Sequence, residues 1–168
     1  MEAREIYNRL KRQFPEDVTT FDAEVMDPCI HVRASAVVAA CTYLRDEPDM
    51  TFEVLSDLTA VDLPKDGKFQ VVYHLYSYAH RHQIVVKADV PREAPRIQTM
   101  ESVWKAANWM EREVFDLFGI DFRGHSDLRR IMLPEDWVGH PLRKDYVEQE
   151  EYDGISTQRE ALVPEVLR

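Results

Sequence analysis

The sequence predicts an α+β fold: a mainly antiparallel sheet with helices packed on it, followed by an irregular C-terminal extension. Three observations carry this. Apolar, alternating runs follow one another from 51 to 90 with only turn residues between them. Helical periodicity is confined to segments before and after those runs, without the regular strand–helix–strand alternation of a parallel sheet. Beyond Gly119 the chain is broken at Gly124, Pro134, Gly139 and Pro141 while staying both apolar and charged.

The first element is a helix, with Ile6, Tyr7, Leu10 and Phe14 at helical spacing and Pro15 ending it. Thr19 to Met26 and Ile30 to Arg33 read as a hairpin turned at Asp27-Pro28. Ser35 is placed to cap a compact apolar helix from Ala36 to Arg45, closed before Pro48. Three strands follow, Thr51 to Val61, Phe69 to Tyr78 and Gln83 to Val90, turned at Pro64-Lys65-Asp66-Gly67 and at the basic tip Ala79 to His82. In the middle strand Phe69, Val71, Tyr73 and Leu75 face one way and Val72, His74, Tyr76 and Tyr78 the other, so both faces are expected to be covered or nearly so. From Pro91 to Pro95 the chain leaves the sheet, and Thr99 to Ala107 suits a short helix.

The next helix, Trp109 to Phe118, carries a capping signal. Asn108 suits the N-cap and Glu111 the third helical position, so each side chain could satisfy an orphan N–H. Gly119 is the natural stop, with Ile120 packing back on the last turn. At 100° per residue Met110, Val114, Phe115, Leu117 and Phe118 form the apolar side, and Arg112 and Asp116 point away from it. Glu111 falls inside the apolar arc and Glu113 on its margin. A carboxylate there needs a cation, because an unpaired buried charge costs several kcal/mol or is neutralised. Either Glu111 only caps its helix, or Arg129 or Arg130 neutralises it in a lattice that fixes the following loop, against a second protein.

Three stretches result: an α+β sheet domain at 1–98, a helix with an irregular loop at 99–146, and an acidic tail at 147–168 containing Glu148, Glu150, Glu151 and Asp153. That tail reads as poorly ordered until something holds it. A chain of 168 residues is one domain of ordinary size. Its formal charge of −10 argues against a nucleic-acid partner. No apolar run is long enough to span a membrane and the first residues are too charged for a secretory signal, which places the chain in the cytoplasm with membrane association only through partners.

Chemistry-bearing patterns are sparse. Cys29 and Cys41 are the only cysteines, too few and too far apart for an iron–sulfur cluster, and read as reduced core residues. The histidines are scattered, so no metal site is expected. Without a glycine-rich phosphate loop or dinucleotide fingerprint, neither NADH nor flavin has an evident seat. Glu111 with Glu113, or Glu135 with Asp136, could act as an acid and base pair, yet nothing marks a substrate cleft between them. Ser126 beside His125 lacks the strand–turn–helix setting of a nucleophile. Trp137, Pro141 and Tyr146 fit an interface better, where aromatic and arginine anchors are enriched.

The run EREVFDLFGIDFRGHSDLRRIMLPEDWVGHPLRKDY, Glu111 to Tyr146, resembles the signature of the C subunit of the proton-pumping NADH:quinone oxidoreductase, respiratory complex I. The pattern is similar at Glu111, Arg112, Glu113, Asp116, Gly119, His125, Leu128 to Ile131, Pro134, Glu135, Trp137 and the block Pro141, Leu142, Arg143, Lys144, Asp145 and Tyr146. Val90 to Ile97 is also family-like. Ser126 stands where the family usually has proline, and Met132 where leucine is common.

The resemblance implies a cofactor-free structural and assembly component of the peripheral arm on the cytoplasmic side of the bacterial inner membrane. It implies a clasp on the hydrogenase-like subunit near the quinone site, close to the cluster-bearing subunit. The expected interface residues are Glu111, Arg112, Glu113, Asp116, Arg129, Arg130, Pro134, Glu135, Trp137, Pro141, Leu142, Arg143, Lys144, Asp145 and Tyr146. NADH oxidation coupled to quinone reduction and proton translocation would belong to the assembly, with no catalytic residue in this chain. Two other expectations stand beside it: the same module in a membrane-bound hydrogenase or ferredoxin-driven dehydrogenase, and a stand-alone acid–base enzyme using Glu111 and Glu113.

Overall fold

The computed structural model describes residues 1–157. Helix α1 (Ala3–Gln13) buries Ile6 and Leu10 and stops before Pro15, as its spacing requires. Strands β1 (Val18–Asp22) and β2 (Cys29–Val32) form the expected antiparallel hairpin, although β1 ends at Asp22 and Met26 is almost fully exposed. Helix α2 (Val37–Asp46) buries Val37, Ala40, Cys41 and Leu44. Ser35 does not cap it: the N-cap is Ala36 in helical backbone, because a turn closed by the Ala36 N–H on the Arg33 carbonyl already leads into the helix.

Strands β3 (Val54–Leu63), β4 (Lys68–Ser77) and β5 (His82–Pro91) complete a five-stranded sheet of order β1-β2-β5-β4-β3, parallel only between β2 and β5. Gly67, at φ +63°, closes the single turn of 3-10 helix between β3 and β4. A bulge at Ser56 shifts the β3 register between Leu55 and Asp57. Leu55, Leu58, Ala60 and Asp62 consequently share the inner face with Phe69, Val71, Tyr73 and Leu75 of β4. The outer face is less covered than the alternation suggests. Val72 is buried there, but Gln70, His74 and Tyr76 are half-exposed and Tyr78 is exposed.

Thr99 to Ala107 forms turns and not a helix. The Val103 and Trp104 N–H groups both close on the Met100 carbonyl, and the Trp104 indole donates to the Phe52 carbonyl at 3.0 Å, pinning the turn to the sheet. Helix α3 (Ala107–Phe118) then begins at Ala107 with Ala106 as its N-cap, so Asn108 lies inside the helix and the expected capping box does not form. The α3 side chains Val114 and Phe118 join the inner-face core, with Phe118 edge-on to Phe69 at 6.2 Å. Flanking it, β6 (Arg96–Gln98) pairs in parallel with β7 (Asp121–Arg123).

One apolar cluster runs from Ile6 through the sheet to Phe122. The acidic tail is described as far as Thr157, where β8 (Glu151–Tyr152) and β9 (Ile155–Ser156) make a small hairpin; the rest of it, 158–168, lies outside the described residues.

Trp104→Phe keeps most of the apolar volume but orphans the buried Phe52 carbonyl. The expected loss is about 1–3 kcal/mol, read from urea midpoints.

Candidate functional site

Asp116 is the centre of the segment that follows α3. It has no exposed surface, contrary to the expectation that it points away from the core, because the extension folds back over that side of the helix. Its Oδ2 accepts three successive backbone N–H groups, from Ile131, Met132 and Leu133, at 3.0, 2.8 and 2.9 Å. Its Oδ1 takes the Arg130 guanidinium at 2.7 Å. Burial pushes this carboxyl up, but the three amides and Arg130 outweigh it and hold Asp116 below the usual carboxylate range. The geometry is an anion nest in which the anion is the protein's own side chain.

The end of α3 is closed by residues much later in the chain. Gly119, at φ +73°, is the left-handed stop expected from the sequence. The Leu142 N–H donates to the Leu117 carbonyl at 3.0 Å, Arg143 Nε to the Phe118 carbonyl at 2.6 Å, and His140 Nδ1 to the Asp116 carbonyl at 2.8 Å. A Cβ on Gly119 would stand 2.5 Å from the His140 ring, so the strap from His140 to Arg143 lies against this turn. Arg143 also sits 5.2 Å over the Phe69 ring, placing its charge at the helix C-terminus, where the dipole favours it.

A second buried carboxylate fixes the next residues. Asp62, an acid at an inward-facing position of β3, receives Arg92 through Nε at 2.8 Å and Nη2 at 3.1 Å, and the Lys144 N–H at 2.8 Å. Hydrogen bonding from Arg92 and, after it, the Lys144 amide hold Asp62 below its ordinary range against the effect of burial. Arg92 Nη2 also reaches Asp145 at 2.5 Å. Trp137 closes the strap by donating to the Tyr146 hydroxyl at 3.1 Å and lying 4.9 Å from the Tyr152 ring.

Glu111 is buried, but neither Arg129 nor Arg130 reaches it. Arg130 goes to Asp116, and Arg129 lies exposed beside Asp127 at 2.9 Å. Glu111 instead accepts the Met100 N–H at 2.6 Å and the Thr99 hydroxyl at 2.5 Å, so it fastens the turn before its helix. Burial pushes it up to about 7, opposed by those two bonds and assisted by the charge of Glu101. Glu101 is held at about 2, first by the Asn108 amide and, against burial, by the N–H and hydroxyl of Ser126. A proline at 126 could make neither Ser126 bond. Arg112, also expected outside, is buried beneath the loop, with Nε and Nη2 on the Arg129 and Arg130 carbonyls at 3.2 and 3.3 Å.

Of the expected interface set, Glu111, Arg112, Asp116, Arg130 and Arg143 therefore spend their polar atoms inside the chain, and Trp137 and Tyr146 bond each other. Glu113, Arg129, Pro134, Glu135, Leu142, Lys144 and Asp145 present exposed side chains, and Pro141 is half-exposed. Glu111 and Glu113 are not brought together, since one is buried and the other faces solvent. Sequence reasoning passed over Asp62, Arg92, Thr99, Glu101 and His140. An acid at an inward position of a strand was the available signal for Asp62.

Asp116→Asn replaces one acceptor oxygen by an amide that must face donors. The expected loss is about 3 kcal/mol, whereas Arg129→Ala should stay within about 0.5 kcal/mol in the same thermal melts. Glu111 has a raised folded-state value, so its contribution to stability is fully present below pH 4.5 and is lost as pH rises toward 7. Between pH 5 and 8 the wild type should lose about 2 kcal/mol relative to Glu111→Gln, which accepts the same amide bond at any pH. Parallel stability curves for the two would refute this.

Comparison with known proteins bears on what this arrangement serves. Residues 30–152 match the family model described as the respiratory-chain NADH dehydrogenase, 30 Kd subunit. The NADH-quinone oxidoreductase C subunit of Geotalea uraniireducens is 47% identical over 131 residues, covering 77% of this chain and 77% of that protein. The C subunit of Roseiflexus castenholzii is 43% identical over 138 residues, covering 82% and 79%. Among solved structures, the trypsin-resistant fragment (1-134) of Nqo5 is 27% identical at a TM-score of 0.63, covering 76% of this chain and 100% of the fragment. A chain of the membrane-bound sulfane sulfur reductase, an archaeal respiratory membrane complex, shares the fold at a TM-score of 0.66 and 23% identity, covering 81% and 79%. On the family match and these identities, the chain belongs to the family of the 30 Kd subunit of the respiratory-chain NADH dehydrogenase.

Proposed function

We propose that this chain is a cofactor-free structural and assembly component of the peripheral arm of an NADH:quinone oxidoreductase. It acts on the cytoplasmic side of the membrane and works by clasping the hydrogenase-like subunit near the quinone site, beside the cluster-bearing subunit. Residues 1–98 serve as the platform, 99–146 as the partner-facing segment and 147–168 as an accessory tail. Electron transfer and proton translocation are activities of the assembly, to which this chain contributes position. Among the described residues no helix is long and apolar enough to cross a membrane, which suits attachment through partners.

The observation that carries the reading is what the fastened strap leaves outside. Met132, Val138 and Leu142 are 60, 63 and 48% exposed on a segment whose backbone is pinned from within at Asp116 and Asp62. Val147 and, on α3, Trp109 are exposed as well. Apolar side chains displayed on a backbone already ordered bind without first meeting the entropy cost of ordering it. Arg129, Lys144 and Glu135 supply the charged rim such a surface needs.

Deleting everything from Leu133 onward is a poor test of this, because it strips partners from Asp116, Asp62 and the end of α3 together. Point changes are cleaner. Val138→Asp and Leu142→Asp should each cut capture of the hydrogenase-like subunit at least tenfold in a pull-down, with circular dichroism melts unchanged. Full capture by both variants would overturn the clasp while leaving the family assignment standing.

A further inference from the structure

Away from the strap, the β1–β2 hairpin gathers three side chains of the types that bind soft divalent metals. Asp22 stands directly opposite Cys29 in the antiparallel register, and His31 follows Cys29 by two residues, so all three project from the same side of the sheet. Asp22 Oδ2 lies 3.0 Å from His31 Nε2 and 3.6 Å from Cys29 Sγ, and that sulfur lies 3.9 Å from the same Nε2. Ligands at about 2.0 Å for oxygen and nitrogen and 2.3 Å for sulfur around a tetrahedral zinc stand roughly 3.3–3.6 Å apart. The three donor atoms are thus within a few tenths of an ångström of those separations before any ion arrives. Cys29 is buried, while His31 is partly and Asp22 half exposed, which leaves the outer side open to solvent.

The arrangement does not suit a nucleophile relay. In such a relay the carboxylate holds one ring nitrogen and the nucleophile faces the other, whereas here Asp22 and Cys29 both approach Nε2. Convergence on one point is what a metal asks for.

We propose that Asp22, Cys29 and His31 form a three-ligand site for zinc or a similar divalent ion, with a water molecule as fourth ligand. Binding replaces two protons: the Cys29 thiol proton, which passes to solvent, and the Nε2 proton that His31 gives to Asp22, which moves by way of solvent to Nδ1 of the same ring; the site acts independently of the clasp. Lys87 is in register beside His31, so its positive charge stands next to the site and disfavours a second cation there. Asp89, two residues along β5, is engaged by Lys68 and Gln70.

The test is titration of the full chain with Co²⁺, followed by competition with Zn²⁺. One equivalent of cobalt should bring tetrahedral visible bands together with a thiolate-to-cobalt charge-transfer band. Cys29→Ser should abolish the charge-transfer band, and His31→Ala, in a variant whose thermal melt shows it folded, should weaken zinc at least about 10–100-fold. Lys87→Met should tighten binding severalfold by removing the competing cation, and His80→Ala should change nothing. Cobalt spectra without a thiolate band, or zinc affinity unaffected by His31→Ala in a folded variant, would overturn the site.

Discussion

The buried charge of Asp116 is the constraint on which the second half of this protein depends. A carboxylate with no exposed surface would be costly alone, and three consecutive amides with a guanidinium make it tolerable. Those amides belong to a stretch that has no ladder or helix in which to satisfy them. Side chain and loop thereby solve each other's problem: the anion needs donors, and the irregular backbone needs an acceptor. Asp62 repeats the device at the far end of the strap with Arg92 and the Lys144 amide. Between the two anchors a segment containing Gly139 and Pro141 holds one course without secondary structure.

This view changes what the signature means. Its acidic and basic residues invite a reading as contacts to another protein, yet half of those expected there, Glu111, Arg112, Asp116, Arg130 and Arg143, are turned inward. Their role for a partner would be exerted through shape, by fixing where Met132, Val138 and Leu142 are displayed. A buried polar scaffold of this kind holds the apolar side chains it displays in fixed positions.

The sheet is legible in the sequence because its strands are long, alternate cleanly and are separated by turns with unmistakable chemistry; Gly67 and the Pro64 turn stand at the expected positions. Elements whose form is decided by distant contacts are not. Thr99 to Ala107 has helical composition, but the Glu111 carboxylate and the Phe52 carbonyl draw it into turns. The Asn108 capping box matches a local rule that loses to the preceding turn, which begins the helix early. An angle count places Arg112 and Asp116 outside because it treats a helix as having one covered side. Nothing local announces that a loop arriving from residue 129 onward will cover the other. The pairing of Arg130 with Asp116, and not with Glu111, is likewise a tertiary choice among near-equivalent acids.

The closure of α3 has a temporal side. The carbonyls at its C-terminal end are met by Leu142 and Arg143, the latter 24 residues beyond Gly119. At about 5–20 residues per second of synthesis, the nascent helix emerges from the ribosome and waits on the order of a few seconds for its own lid. Through that interval the Phe118 carbonyl and the Phe69 ring lack the Arg143 guanidinium that later reaches them, although Arg92 already lies over Phe69. A message that pauses between these codons would lengthen the time for which the helix end stands without its closing strap.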